Sequence, residues 1–337
     1  MRLRRSDPGA PGITRRRSRK GFRYAGPDGS ALTPADLDRV RALVIPPAWT
    51  DVWICPAPNG HIQVLGTDAA GRRQYLYHEQ WRAERDRAKH ERILEFAERL
   101  PEARRVLCQH LAEPGLSRER VLSAAIRLLE LGFFRVGSEA YADENGTYGL
   151  ATLRRDHVRM RGGVLVFSYV AKHGIERTQT VADPDVIPVV QALRRRKDGD
   201  PELLAYRSGR DWRDVRSEDV NAYLREVTGG EFSAKDFRTW HATVLMAVAL
   251  AVSAPAASQS ATARQRAIRR AYCEVAGYLG NTPAVCKSSY VDPRVVDLFG
   301  SGVTVAGALD ELGEGTSGGQ LATQGAVERA VLGMLRR

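Results

Sequence analysis

Four residues of this chain carry the groups needed to attack, hold and release a phosphodiester: Arg135, Lys172, Arg238 and Tyr290. A tyrosine can supply an oxygen nucleophile and later depart as a phenolate. Two guanidinium groups can bind the non-bridging oxygens and the charge that builds in the transition state. A lysine can give a proton to the departing sugar oxygen. Because these cations supply the charge, the set suits a transesterification that needs no metal.

Taken singly, each of the four has an ordinary structural interpretation. A lone tyrosine such as Tyr290 is usually a half-buried packing residue. Arg238 is flanked by core-type residues, which predicts a solvated side chain on the polar side of its helix. Arg135 follows a helix stop, where structural salt bridges are common, and Lys172 at a hairpin tip is expected to be exposed. Only the combination points to a reaction.

Residues 21–85 have the pattern of a small β-rich domain. Short alternating runs are separated by Gly and Pro, and an Asn-Gly step between two runs is typical of a hairpin. Residues 71–77 (GRRQYLY) predict a further strand with Tyr75 and Tyr77 on one face. A helix is expected over residues 34–43.

From residue 86 to residue 308 the pattern is mostly helical, with a boundary near residue 85. Two β-like runs within residues 164–181 interrupt the helices. The Lys-His-Gly sequence between them predicts a hairpin turn with Lys172 at its tip. The fold class is therefore α+β, a β-rich N-terminal domain followed by a larger, mostly helical domain.

Capping residues predict where several helices begin. Ser117 and Thr282 are expected N-caps, and Ser233 starts a capping box in which Asp replaces Glu. The helix that follows, over residues 234–252, carries Arg238. We further predict a loop over residues 253–261 and a tail over residues 309–337, flexible at residues 313–319 and with room for a terminal helix.

The chain has 337 residues and a net charge of +11, with 51 Lys and Arg against 40 Asp and Glu. Its pI near 9.8 predicts attraction to polyanions, although a basic protein without a nucleic-acid role has the same composition. Residues 1–20 are strongly basic and are expected to form a mobile arm. With 43% hydrophobic residues the chain can build a packed core.

Several classes of site are missing from the sequence. The four cysteines are dispersed, without zinc-ligand spacing, which favours free thiols in a reducing compartment. Phosphate-binding glycine motifs and the H-E-x-x-H metal motif are absent. No apolar run approaches a membrane span, and the basic N-terminus lacks the apolar segment of a secretory signal. We therefore expect no cofactor, no nucleotide, no metal and no membrane.

From about Gly21 to Phe299, the sequence resembles the type IB DNA topoisomerases, specifically their small bacterial and poxvirus-like branch. Four motifs in order carry the resemblance: residues 71–77 (GRRQYLY), 134–139 (FRVGSE), 235–240 (KDFRTW) and 281–290 (NTPAVCKSSY).

The resemblance implies a role for each candidate residue. Tyr290 is the nucleophile that forms a 3′-phosphotyrosyl link to one strand of duplex DNA. Arg135 and Arg238 hold the scissile phosphate, and Lys172 is the general acid. Viral and nuclear members usually carry His where this chain has Asn281, which can donate a hydrogen bond but cannot shuttle a proton. Asn at this position fits the bacterial branch.

The resemblance also implies two lobes that close as a C-shaped clamp around the duplex, and a monomeric enzyme of the bacterial nucleoid. It would relax supercoils without ATP or metal. The basic arm would help to hold phosphates without sequence readout. Small-domain residues that match DNA contacts in relatives are Arg72, Arg73, Gln74, Tyr75 and Tyr77.

Two other functions share part of this pattern. Tyrosine recombinases use the same catalytic residue types, but they usually carry His where this chain has Lys235, and their N-terminal domain is typically helical. A non-catalytic basic protein of the nucleoid would explain the charge but would have no need of Tyr290.

Overall fold

The computed structural model describes residues 2–19, 21–137, 139, 142, 146–197, 199–258, 260–311, 321 and 323–337, apart from the side chain of His173. The described chain forms two compact units, residues 1–91 and residues 92–337. The division falls inside helix α2 (Glu79–Ala112), a few residues after the position expected from the sequence. The boundary between the two units therefore lies within a charged helix and not in a linker.

The first unit is built on a five-stranded antiparallel sheet in the order β2-β1-β3-β4-β5. The strands are β1 (Ile13–Ser18), β2 (Gly21–Ala25), β3 (Thr50–Ile54), β4 (Ile62–Thr67) and β5 (Arg73–Tyr77). Helix α1 (Pro34–Ala42) begins after Thr33, whose hydroxyl accepts from the Asp36 N–H. The core of this unit contains Ile13, Val40, Ile45, Val52, Ile54 and Val64. The predicted β-rich domain is confirmed.

The mobile arm expected over residues 1–20 is wrong for the part that forms β1. This strand pairs with both β2 and β3. Ile13 is buried, and the Arg15 guanidinium donates to the Trp49 carbonyl at 2.6 Å. A charged strand can pack well because alternate residues face opposite sides of the sheet. A high density of charge in this segment therefore does not by itself indicate a mobile arm.

The residues before β1 are also held to the sheet. The Arg4 N–H donates to the Asn59 carbonyl, and the His61 N–H donates to the Arg4 carbonyl. The buried hydroxyl of Ser6 donates to the Ile62 carbonyl at 2.9 Å. These bonds fix the beginning of the chain beside the start of β4.

The second unit is mostly helical, as predicted. After α2 the helices among its described residues are α3 (Arg118–Gly132), α4 (Val186–Arg194), α5 (Ser217–Thr228), α6 (Ala234–Ala257), α7 (Ala261–Leu279), α8 (Pro283–Ser289), α9 (Pro293–Gly300) and α10 (Ala326–Leu335). The hydroxyls of Ser117 and Thr282 cap α3 and α8, as their positions predicted. Ser233 and Asp236 form the expected capping box of α6.

Two small antiparallel sheets accompany these helices. Strands β6 (Val158–Arg161), β7 (Val164–Ala171) and β8 (Ile175–Val181) form the first, and a short 3-10 turn, Lys172–Gly174, joins β7 to β8. The predicted hairpin is therefore confirmed. The second sheet pairs β9 (Ala205–Ser208) with β10 (Asp211–Asp214), which the sequence analysis missed.

Helix α6 is longer and more apolar than predicted. It continues to Ala257 through Pro255, so the loop expected over residues 253–261 is wrong for its first half. By length and composition α6 is the one helix among the described residues that could span a membrane. However, 56% of its apolar stretch is buried inside the protein, and its first turns carry Asp236 and Arg238. It is the central core helix of the second unit.

The terminal helix expected within the tail over residues 309–337 is present as α10 (Ala326–Leu335). Helix α10 packs into the core through Val327 and Val331, both fully buried. The flexible stretch predicted at residues 313–319 lies outside the described residues. Helix α10 has an apolar face, and exposing that face to water would cost free energy. The helix therefore packs against the second unit as part of its core.

Candidate active site

The structure brings the four catalytic candidates to one pocket of the second unit, with a volume of about 320 Å³. Arg135 lies just beyond the end of α3, and Arg238 lies in the second turn of α6. Lys172 lies in the turn between β7 and β8, and Tyr290 is the C-cap of α8. Four segments far apart in the sequence therefore meet around a single point.

Arg238 is buried, only 4% exposed, which corrects the solvated position expected on the polar side of its helix. Its guanidinium donates to the Phe133 carbonyl at 2.9 Å and to the Leu279 carbonyl at 2.7 Å. These carbonyls lie where α3 and α7 end, and they fix the orientation of the group. Its buried Nε–H has no hydrogen-bond partner among the described residues. Burial, with the nearby charge of Arg135, lowers the pKa of Arg238.

The guanidinium carbon of Arg238 lies 5.2 Å from the centre of the Tyr290 ring. Tyr290 is 8% exposed. Burial acts to raise the pKa of its phenol, but the charge of Arg238 and a hydrogen bond from it outweigh that effect. The charges of Arg135 and Lys235 act in the same direction, and the pKa of Tyr290 is lowered. The site therefore makes the phenolate easier to form, and the phenolate is the better nucleophile.

Lys235 lines the same pocket, although its place in the sequence suggested no catalytic role. It lies three residues before Arg238 on α6, a spacing that places two side chains on one face of a helix. That spacing was the signal that could have identified it.

Arg135 is held by groups that follow α7. Its guanidinium donates to Asn281 Oδ1 at 2.6 Å and to the Gly280 carbonyl at 3.1 Å. The Asn281 oxygen is thereby occupied, whereas its buried Nδ2 has no hydrogen-bond partner among the described residues. Asn281 contacts the site through Arg135 and does not line the pocket itself. The arrangement leaves its N–H₂ available as a donor.

The hairpin that carries Lys172 is fastened at β8. Arg177 of that strand donates to the carbonyls of Tyr278 and Gly277 at 2.9 and 3.3 Å, at the end of α7. Lys172 itself is exposed and lines the pocket. Arg177 lies three residues after the turn and pairs with Tyr169, so this contact holds the tip end of the hairpin against the end of α7.

Two matches with known families cover most of the chain. Residues 78–297 match the family described as eukaryotic DNA topoisomerase I, catalytic core, and residues 21–68 match bacterial DNA topoisomerase IB, N-terminal domain. The chain is 31% identical over 294 residues to DNA topoisomerase 1B of Acanthamoeba polyphaga mimivirus, which covers 86% of this chain and 87% of that protein. The chain belongs to the type IB DNA topoisomerases. The predicted family and enzyme class are confirmed, and the N-terminal domain is of the bacterial kind.

More distant similarity, to two eukaryotic proteins, is confined to part of the chain. DNA topoisomerase 1 of Daucus carota is 27% identical over 132 residues, and that of Schizosaccharomyces pombe is 30% identical over 134 residues. Each match covers 39% of this chain and 16% of the relative. Family membership favours neither the recombinase nor the non-catalytic interpretation.

The small-domain residues of this topoisomerase that were expected to contact DNA lie on or beside β5. Tyr75 and Tyr77 are 45% and 39% exposed, and their rings stack with centroids 6.0 Å apart. Arg72 Nε and Gln74 Nε2 each donate to Asp68 Oδ2 at 2.9 Å. Hydrogen bonds from the backbone and side chain of Arg72 lower the pKa of Asp68 to about 2. Arg73 at the start of the strand is also exposed.

Within the described residues of the topoisomerase, one group of carboxylates is close enough together to hold a cation: Asp200, Glu202 and Asp214. The Arg196 guanidinium already lies there, donating to the Asp200 carbonyl at 2.8 Å and standing 3.5 Å from the Asp214 carboxylate. None of these residues lines the pocket that contains Tyr290. The three acidic residues are therefore best explained as the surroundings that bind the Arg196 guanidinium.

Proposed function

We propose that this topoisomerase relaxes supercoiled DNA through a covalent link to Tyr290, without ATP or metal. The observation that carries the proposal is the convergence of Arg135, Lys172, Arg238 and Tyr290 on one pocket, with the phenol against a buried guanidinium. One strand is cut, the duplex rotates under its own torque, and the strand is resealed.

In the cleavage step Tyr290 Oη attacks the scissile phosphorus, and the phenol proton passes to solvent water. A bond forms between that oxygen and phosphorus, and the bond from phosphorus to the 5′-oxygen breaks. Lys172 donates a proton to the departing 5′-oxygen, which leaves as a hydroxyl. Religation is the reverse. The phosphotyrosyl bond keeps the energy of the broken phosphodiester, so resealing requires no nucleotide.

The phosphate is held by donors that the protein leaves available. Arg238 Nε–H and Asn281 Nδ2 are buried and have no partner among the described residues. Asn281 lies beside Arg135, outside the pocket lining, so its donor reaches the phosphate only if DNA binding brings the two together. Arg135 lies beside Asn281, so its charge can act on the same phosphate. Fixed donors of this kind stabilise the transition state without reorganisation. Lys235 contributes by favouring the phenolate of Tyr290.

The first unit would contribute affinity for the duplex. Tyr75, Tyr77 and Arg73 are exposed on β5, where aromatic and cationic groups suit contact with DNA. The basic residues before and within β1 would add contacts to phosphates. We further propose that the enzyme acts as a monomer on the nucleoid of a bacterial cell.

A suicide duplex tests both the adduct and its polarity. The protein is mixed with the duplex labelled at the 5′ end of the cleaved strand in one sample and at the 3′ end in another, and is then run on a denaturing gel. A 3′-phosphotyrosyl link retains the 5′ label on the protein. Retention of the 3′ label alone, or an absolute need for ATP or a divalent metal in plasmid relaxation, would reject the mechanism.

A further inference from the structure

Five charged residues form a cluster in the second unit, which we call the Glu328 cluster: the partly buried Arg104 and the buried Arg127, Glu130, Asp183 and Glu328. Arg104 of α2 lies 2.7 Å from Glu130 of α3 and 2.6 Å from Glu328 of α10. Arg127 lies 3.1 Å from Glu130 and 2.9 Å from Asp183. Every side chain in the cluster is 11% exposed or less. Burial acts to raise the pKa of Glu130, but the charges of Arg104 and Arg127 outweigh it and the pKa is lowered.

Glu328 connects this cluster to the catalytic helix. Its Oε2 accepts from Arg104 Nη1 at 2.6 Å, and its Oε1 accepts from Arg104 Nη2 at 3.0 Å. The same Oε1 accepts from Trp240 Nε1 of α6 at 2.7 Å. Trp240 is 1% exposed, so Glu328 provides the acceptor that its indole N–H needs.

Trp240 and Arg238 act on opposite sides of α6. Two residues along an α-helix are separated by roughly 200° around its axis, so one side chain faces the pocket while the other faces α10. The cluster also holds α3, through Glu130 in its last turns. Just beyond α3 lies the Phe133 carbonyl, which accepts from Arg238. The Glu328 cluster and the hydrogen bond from Arg238 to Phe133 therefore both connect α3 with α6.

We propose that Glu328 is a positioning residue for DNA cleavage, acting through Trp240 to hold α6, and with it Arg238, against α3. The proposal rests on the proposed function, since it concerns the geometry of the same site. It assigns a role to the C-terminal helix, which lies beyond the family match that ends at residue 297. Glu328 touches neither Tyr290 nor the pocket, so its effect is on alignment and not on chemistry.

The test compares Glu328→Gln with the parent in single-turnover cleavage of a suicide duplex, well below the melting temperature of both proteins. Gln keeps the size of the side chain but loses the charge that Arg104 needs. Its amide has one acceptor oxygen and one N–H₂ group, so it cannot accept from both Arg104 Nη1 and Trp240 Nε1 as the carboxylate does. We expect the rate constant of adduct formation to fall by ~10- to 100-fold, because small misplacements of catalytic groups have effects of this size. The final amount of adduct and the dissociation constant for uncleaved duplex stay at the parental values. A purely structural role would instead lower the final amount and leave the rate constant unchanged.

Glu98→Gln is the matched control. It removes the ion pair with Arg336 at the end of α10, 2.8 Å long and partly exposed, and it is expected to leave the rate constant unchanged. If Glu328→Gln does not fold, Trp240→Phe decides, because it removes only the indole N–H and is expected to slow cleavage by roughly 10-fold. In the double variant the two effects should not add, since they share one path.

A parental rate constant in the folded Glu328→Gln variant, or in Trp240→Phe where the former does not fold, overturns the proposal while leaving the proposed function intact. An equal loss in Glu98→Gln overturns it too, because the effect would then be general to α10. If the parent itself forms no adduct at Tyr290, the proposed function and this inference fall together.

Discussion

The guanidinium of Arg238 and the phenol of Tyr290 form the centre of the site, 5.2 Å apart from carbon to ring centroid and both buried. Arg238 is fixed by two main-chain carbonyls before any DNA arrives. Its charge lowers the pKa of Tyr290 against the opposing effect of burial. One contact therefore positions both the proposed nucleophile, Tyr290, and a proposed phosphate-binding group, Arg238.

Replacing Tyr290 with Phe should abolish the covalent adduct and plasmid relaxation while duplex binding stays nearly unchanged. Only the nucleophilic oxygen is lost, whereas affinity depends on phosphate contacts spread over the protein. Gel-shift and denaturing gels measure the two properties separately. Tyr278→Phe, which alters a tyrosine that is 58% exposed, is the control and should relax plasmid normally. Relaxation by Tyr290→Phe would refute the assignment.

Lys172→Ala should cleave ordinary DNA roughly 10²- to 10⁴-fold more slowly, because an alcohol oxygen leaves poorly without a proton donor. A duplex with sulfur in place of the bridging 5′-oxygen needs no protonation on departure, so this variant should cleave it at close to the parental rate. Single-turnover rates on both substrates make the comparison. Arg135→Ala and Arg238→Ala should gain less from sulfur, since they act on the non-bridging oxygens. Absence of rescue would mean that Lys172 is not the general acid.

Asn281→Ala should slow cleavage by ~10- to 1,000-fold, about the loss of one donor to the transition state. The variant also removes an acceptor that holds Arg135; among the described residues the Gly280 carbonyl then remains. Asn281→His keeps a donor and should retain substantial activity in the same single-turnover assay. A parental rate for Asn281→Ala would show that the position has no catalytic part in this enzyme.

Lys235→Ala should move the rising limb of the pH–rate profile for cleavage to higher pH. The positive charge of Lys235 favours the anion of Tyr290, so its removal raises the pKa of that phenol and leaves less phenolate at a given pH. At neutral pH the rate should therefore fall, and part of the loss should be recovered as the pH rises. Lys287→Ala, which removes an exposed lysine of α8, should leave the profile in place. An unshifted profile for Lys235→Ala would exclude this electrostatic role.

Local features of the structure could be predicted from the sequence by itself. The caps at Ser117 and Thr282, and the hairpin turn at Lys172, depend on residues within a few positions of one another. The four motifs also identified the family before any coordinates were known, because they keep catalytic residue types in a fixed local context. The α+β class followed from the change in periodicity near residue 85.

The site itself depends on contacts between distant segments, which local spacing does not encode. Arg135 binds Asn281 across 146 residues, and Arg104 binds Glu328 across 224. The sequence suggested a solvated Arg238 because charged side chains usually stay in water; only the packed helices supply the carbonyls that make its burial possible. For the same reason the C-terminal helix looked like part of a tail. Glu328 of this helix can be buried because Arg104 and Trp240 donate hydrogen bonds to it, and both residues are distant in the sequence.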